Sequence, residues 1–320
     1  MKVAILGGTG FLGSRITQHF LMAGAQVFLL NRGTRKIAGA DTIECDRNKA
    51  ASLSAAAKQM PELDLLIDCS SYTLEQTKLA LNTLAHRVNH WVHISSAAVY
   101  SSPAQQPHSE EDAIGGAPVW QAYGHQKAEI DHFLLSTPQE SRISILRPPY
   151  IYGAGNDSDR ETFVWARCRR GQPIFVPGSG TLPMQFINVD DIPRLIHELH
   201  KINHCLPVEV FNIGAPSNIS QLEWVEAVAT AAGYRAKPLL LAEMDHKLGA
   251  LQARSYFPFR DYPCHLNVDK LVKHLPNFVF SVFEDSLNAL YKCTSLALLD
   301  KGSLASDTEE ALLSVYNSGR

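Results

Sequence analysis

The segment Gly7-Gly8-Thr9-Gly10-Phe11-Leu12-Gly13 follows the apolar run Val3-Leu6 and opens a helical pattern over Phe11-Ala23. Gly7, Gly10 and Gly13 fall at G-x-x-G-x-x-G spacing. Glycines let the backbone turn sharply and approach a pyrophosphate, while free N–H groups and the dipole at the helix start attract the anion. An ordinary strand-to-helix turn is the competing explanation. The strand before and the helix after supply the context that a dinucleotide site requires. Thr9, Phe11 and Leu12 join the three glycines as candidate cofactor contacts.

The next 130 or so residues repeat the same alternation. Strands are expected at Val27-Leu30, Thr42-Cys45, Leu63-Asp68, His90-Ser95 and Ile143-Arg147, and helices at Leu53-Gln59, Leu74-His86 and Tyr123-Leu135. Residues 1–150 therefore read as an α/β, Rossmann-type, doubly wound parallel sheet. After Arg147-Pro148-Pro149 the texture shifts to turns such as Pro177-Gly178-Ser179-Gly180, with helices near Arg160-Arg170, Pro193-Lys201 and Gln221-Ala232. Residues 151–320 are expected to form a smaller α/β substrate lid. The β-branched run Val208-Ile213 suggests that the chain returns to the first domain around 187–214. The polar stretch from Asp300 to Arg320 reads as a loosely held tail.

Composition narrows the function. Charged residues are 19% of the 320, with 29 Lys and Arg against 32 Asp and Glu, a net charge of −3. Such a surface is not built to cover phosphates, so a nucleic-acid partner is not expected. The six cysteines are scattered without a C-x-x-C pair, which fits a reducing compartment. The apolar run before Gly7 is shorter than a signal-peptide core, and no run approaches the ~18 apolar residues of a membrane span. A cytoplasmic protein without membrane association is the expectation. Among 13 histidines, His197, His200 and His204 lie near one another but lack a carboxylate-histidine signature. They are taken as surface residues, and no metal site is expected.

The cofactor's identity turns on the end of the second strand. NAD-binding versions place an acid there to accept from the ribose 2′-hydroxyl. Here the chain reads Asn31-Arg32, with Arg35 close behind. An acid would repel a 2′-phosphate, whereas these arginines offer it forked donors. NADP(H) is expected. One charge-assisted bond of about 1.5 to 3 kcal/mol biases the choice roughly ten- to a hundredfold; a solvated loop arginine is the alternative. Asp46 is a candidate acceptor for an adenine amino group, or a cap for the helix that follows.

Tyr123 and Lys127 stand four apart on an expected helix and so share a face. An ammonium beside a phenol is expected to lower the phenol's pKa from ~10 toward working pH. Tyr123 is the candidate acid/base at an alcohol or carbonyl oxygen, and Lys127 its partner and a contact for ribose hydroxyls. Ser96, at the carboxyl end of the fifth strand, is the candidate donor to the substrate oxygen. A plain strand terminus is the other reading of Ser95-Ser96.

On these segments, together with Ser95-Ser96-Ala97-Ala98-Val99-Tyr100, Arg147-Pro148-Pro149-Tyr150-Ile151-Tyr152-Gly153 and Phe186-Ile187-Asn188-Val189-Asp190-Asp191, the chain resembles the extended short-chain dehydrogenase/reductases, or NAD(P)-dependent epimerase/dehydratase family. The resemblance implies catalytic roles for Ser96, Tyr123 and Lys127, and adds Ser70 and Pro148 to the cofactor-binding set. It also implies dimerisation through the helices Leu74-His86 and Tyr123-Leu135. Dehydratases of the family carry Thr and an acid where this chain has Ser96-Ala97-Ala98, which disfavours sugar dehydration. Met184-Gln185 replaces a basic residue that commonly contacts phosphate. The Asn-Arg-Gly turn, Asp68-Cys69-Ser70-Ser71-Tyr72 and Phe257-Pro258-Phe259-Arg260-Asp261 are similar to the subgroup holding chloroplast stem-loop RNA-binding proteins, which lack the tyrosine kept here.

The expected function is an NADP(H)-dependent oxidoreductase acting on a keto or hydroxyl carbon of a small polar or nucleotide-sugar-like molecule, as reductase or epimerase. The alternative is an RNA-binding or cofactor-sensing protein without turnover. For RNA, the one basic cluster is Arg167, Arg169 and Arg170 beside Trp165, which reads either as a phosphate grip or as a solvated face over a buried aromatic.

Overall fold

A computed structural model describes residues 1–103, 106–138, 141–156, 160–202, 207–243, 252–301 and 307–318. The chain divides into two compact units. The first comprises Met1–Ile151, Phe186–Pro216 and Leu266–Phe280, and the second Tyr152–Gln185, Ser217–His265 and Ser281–Arg320.

The first unit is built on a seven-stranded parallel sheet. Its strands are β1 (Lys2–Leu6), β2 (Gln26–Asn31), β3 (Asp41–Glu44), β4 (Leu63–Asp68), β5 (Val88–Ile94), β6 (Arg142–Arg147) and the returning strand Val208–Asn212. In space they run Val208–Asn212, β6, β5, β4, β1, β2, β3. The order reverses direction between β1 and β4, where ligands of doubly wound sheets bind beyond the carboxyl ends. The expected α/β doubly wound sheet is what the chain forms.

Helices cover both faces, so the strands read as nearly unbroken apolar runs rather than as alternation. On one face Ala4, Leu30, Leu66, Trp91 and Ile145 pack with Leu53, Ala80 and Leu84 of α2 (Ala50–Ala57) and α3 (Leu74–Leu84), and with Ile130 and Leu134 of α4 (Gln121–Ser136). On the other, Val3, Ile5, Leu29, Ile67 and Val92 meet Ile16 and Phe20 of α1 (Phe11–Met22) and Ile192, Leu195 and Leu199 of the helix Asp191–Lys201. Thr73 and Gln76 close a capping box on α3, which fixes where that helix begins.

The segment Leu266–Phe280 also belongs to the first unit; its short helix Asp269–His274 gave little periodicity to read. His197 and His200 are not surface residues. Each is half-buried against a partner: His197 Nδ1 lies 3.2 Å from His19 Nε2, and His200 Nδ1 lies 3.1 Å from His90 Nδ1. His204 lies outside the described residues. Among those described, no group of three or more His, Cys, Asp or Glu is arranged to hold a metal, and no helix is long and apolar enough to cross a membrane.

In the second unit, the strand Asn218–Ser220 pairs antiparallel with residues 183–185, and Pro238–Leu240 pairs parallel with Ile174–Val176. Two expectations are corrected here. The basic cluster divides: Arg169 and Arg170 are exposed, as the solvated-face reading has it, whereas Arg167 is buried, ion-paired to Glu309 and stacked 3.5 Å from the Phe163 ring centroid. Trp165 is also buried and donates its indole N–H to Val228 O at 2.7 Å. The stretch read as a loose tail contains the helix Asp307–Ser318, whose Leu312 is fully buried and whose Glu309 pairs with Arg167. Polarity there reflects a buried partner, not a lack of one. Glu309→Ala would strand a buried guanidinium. Calorimetry is expected to show a loss of about 3–5 kcal/mol, while Glu310→Ala, at an exposed neighbour, stays near wild type.

Candidate active site

Tight backbone packing shapes the glycine turn. Gly7 has φ +80°, a left-handed conformation that L side chains avoid, and a Cβ there would lie 2.6 Å from Ser70 Cβ. A Cβ on Gly13 would meet Gly7 O at 2.1 Å, so only glycine lets α1 start this close to the turn. Thr17 Oγ1 lies 2.9 Å from Gly8 O and 2.8 Å from Gly13 O, tying the first turns of α1 to the loop. The start of α1 has no side-chain cap and no acid in its first turn, leaving its N–H groups free for an anion.

This turn forms one wall of a cleft of about 580 Å³. Gly7, Thr9, Gly10, Phe11, Leu12 and Gly13 line it, together with Asn31, Arg32, Asp46, Ser70, Ser96, Tyr123, Lys127 and Pro148. Fourteen of the fifteen residues expected at the site thus border one cavity. Arg35 does not. Asn31 folds the loop into a tight turn, its Oδ1 accepting from Gly33 N at 2.7 Å and its Nδ2 donating to Arg35 O at 3.3 Å. The Arg35 side chain is exposed outside the cleft, so Arg32 is left as the arginine of that loop in the wall. Asp46 Oδ1 accepts from Asn48 N at 3.1 Å and Asn48 Nδ2 at 3.2 Å, which holds its carboxyl below the usual range.

The acid-base group sits at the opposite end. Ser96 opens a short 3-10 turn, Ala97–Val99, and its Oγ accepts from Ala98 N at 3.1 Å. Pro148 O accepts from Ala97 N at 2.8 Å, anchoring the turn to the residues after β6. α4 approaches it through glycine: a Cβ on Gly124 would lie 2.6 Å from Ala98 O, and one on Gly116 would lie 2.4 Å from Gly124 C. That contact brings Tyr123 and Ser96 into the wall of the same cleft, near enough for the serine hydroxyl to favour the phenolate.

The expected lowering of the Tyr123 pKa is not what the geometry produces. Desolvation of the hydroxyl raises it, and the nearby Ser96 hydroxyl offsets only part of that shift. The ring edge is open, with 43% of the residue exposed, but the hydroxyl is crowded, and its surroundings set the titration. Lys127 does not face the phenol. Its Nζ donates to Ser71 O at 2.7 Å and Ile94 O at 2.8 Å, and burial brings its pKa down to about 8 against the pull of Asp68 and Asp131.

Arg47, which no motif singles out, also lines the cleft. Its Nη1 donates to Asp68 Oδ1 at 2.6 Å and Ser70 Oγ at 2.7 Å, and its Nη2 to Asp68 Oδ2 at 2.8 Å. Ser70, and through it the wall against Gly7, is held by this pair. Gly13→Ala and Gly124→Ala each force a methyl onto backbone oxygen. Urea denaturation is expected to show losses of about 1–3 kcal/mol for each, against little change for Ser54→Ala at an exposed position of α2.

Comparison with known proteins agrees with this architecture. The chain is 26% identical over 294 residues to the chloroplast stem-loop binding protein of 41 kDa b of Arabidopsis thaliana, covering 86% of this chain and 74% of that protein. The fold is similar to UDP-glucose 4-epimerase of Thermotoga maritima, solved with UDP-glucose (TM-score 0.73, 15% identity, 91% of this chain and 98% of that one). It is also similar to UDP-glucuronic acid 4-epimerase of Bacillus cereus, solved with UDP-glucuronic acid and NAD (TM-score 0.72, 18% identity, 91% and 98%). The profile of the NAD dependent epimerase/dehydratase family matches residues 3–214, and the chain belongs to that family.

Proposed function

We propose that this protein is an NADP(H)-dependent oxidoreductase that transfers hydride at a keto or hydroxyl carbon of a small polar or nucleotide-sugar-like substrate. The observation that carries the reading is that Tyr123, Ser96 and Lys127 line the same cleft as the glycine turn. The residues fit a dinucleotide: Gly7 packed on Ser70 and Gly13 packed on Gly7 O let the turn and α1 come together without intervening side chains, and the start of α1 is uncapped. Bound there, a nicotinamide would supply or accept the hydride.

The chain's own residues handle the proton and the oxygen. Ser96 donates to the substrate oxygen and fixes its position. Tyr123, with its pKa raised, carries its proton at neutral pH, so it is set to give that proton to an oxygen gaining negative charge. This favours the reducing direction as the first step. Epimerisation would use the same groups, with the ketone retained until hydride returns. Lys127, charged below pH 8, offers its remaining N–H toward the cleft and is assigned to the ribose hydroxyls. Arg32 is assigned to the 2′-phosphate. The same reading includes a homodimer joined through α3 and α4, and light scattering showing a monomer would remove that part.

Tyr123→Phe is expected to leave NADPH binding within twofold, by tryptophan quenching, and to cut turnover at least a hundredfold; unchanged turnover overturns the mechanism. Wild type is expected to bind NADPH roughly ten- to a hundredfold more tightly than NADH, with Arg32→Ser removing the difference. Tighter NADH binding would refute the role of Arg32. Because the Lys127 pKa lies near 8, its ammonium is present below that pH and lost above it. The kcat/KM profile is therefore expected to fall on its alkaline side with a midpoint near 8.

A further inference from the structure

Lys127 is surrounded by titratable groups from several elements, and burial holds some of them neutral. Burial pushes the Cys69 thiol up, the His93 imidazole down to about 3, and the Tyr123 phenol up. The Tyr72 ring lies 5.6 Å from Nζ. Two carboxylates and two guanidiniums complete the set. Asp68 ends β4, three residues before the Ser71 carbonyl that Lys127 binds, and stands beside His93 in the β4–β5 register. Asp131 lies one helical turn beyond Lys127 on α4. Both carboxylates are completely buried.

Each is gripped by an arginine. Arg47 is bidentate on Asp68, at 2.6 and 2.8 Å. Arg147 Nε donates to Asp131 Oδ2 at 2.9 Å, and its Nη1 donates to Tyr100 Oη at 3.1 Å. The sequence of charges is Arg47, Asp68, Lys127, Asp131, Arg147, alternating in sign. The ammonium bonds only neutral carbonyls, so its contacts do not by themselves offset the burial that favours loss of the proton. Burial likewise pushes the Asp131 carboxyl up, and Arg147 opposes that shift.

We propose that Arg47 and Arg147 are positioning residues for Lys127 that act through Asp68 and Asp131, the arginines keeping two buried carboxylates ionised and the carboxylates keeping the ammonium charged without touching it. The value of that charge to turnover rests on the oxidoreductase reading; the row of charges does not.

The test follows the ionisation of Lys127 itself. In the full chain carrying ¹⁵N-lysine, the Nζ resonance assigned through Lys127→Met is titrated with pH. A midpoint near 8 is expected for wild type, and Asp131→Asn and Arg147→Met are each expected to lower it by about one pH unit. Arg147→Lys should restore most of the shift. Because single changes leave a buried charge unpaired, the pair replacement Asp131→Leu with Arg147→Met provides a folded control and should show the same downward shift. A folded pair variant with an unmoved midpoint overturns the proposal. A lowered midpoint in a protein without redox turnover upholds the proposal and defeats the oxidoreductase reading. Turnover with a fixed midpoint does the reverse.

Discussion

Every strand of the central sheet is parallel to its neighbours, so each must leave the sheet at the same edge before the chain can fold back. That constraint decides where chemistry can be placed. The glycine turn after β1, the Asn31 turn after β2, Arg47 after β3, Ser70 after β4, Ser96 after β5 and Pro148 after β6 all emerge at one rim. Tyr123 and Lys127 join them from α4, held close by glycine contacts. Six segments far apart in sequence share one cavity because their strands share one direction.

What could be read in advance follows from how local each signal is. The glycine turn needs a strand before it and a helix after it, all within about 20 residues, and Tyr123 and Lys127 need a single helix. Both signals survive in one dimension. Arg47 does not, because its importance comes from Asp68, 21 residues later, and no spacing rule links the two. Thr17 looks like an ordinary helical residue until the carbonyls of Gly8 and Gly13 are seen against it. Arg35 was assigned by proximity, but Asn31 turns the backbone so that neighbours in sequence point to different sides.

The misjudged tyrosine is more instructive. Four-residue spacing correctly puts Lys127 on the face of Tyr123, but spacing says nothing about what else competes for an ammonium. The carbonyls of Ser71 and Ile94 take it, and burial then governs the phenol. A pairing argument made on helix geometry alone omits desolvation, which here is the larger effect for both groups. The polar segment after residue 300 was misjudged for a related reason: polarity was taken as a sign of solvent, when Glu309 is buried against Arg167.

That ion pair also says something about how the protein is made. Arg167 and Glu309 are 142 residues apart, so a nascent chain that has released the guanidinium must be translated through most of the second unit before its counter-ion exists. At about 5–20 residues per second this is roughly 7–28 s. Over that interval Arg167, stacked on Phe163, lacks its carboxylate partner. The second unit therefore cannot neutralise its buried guanidinium until its last helix has been made.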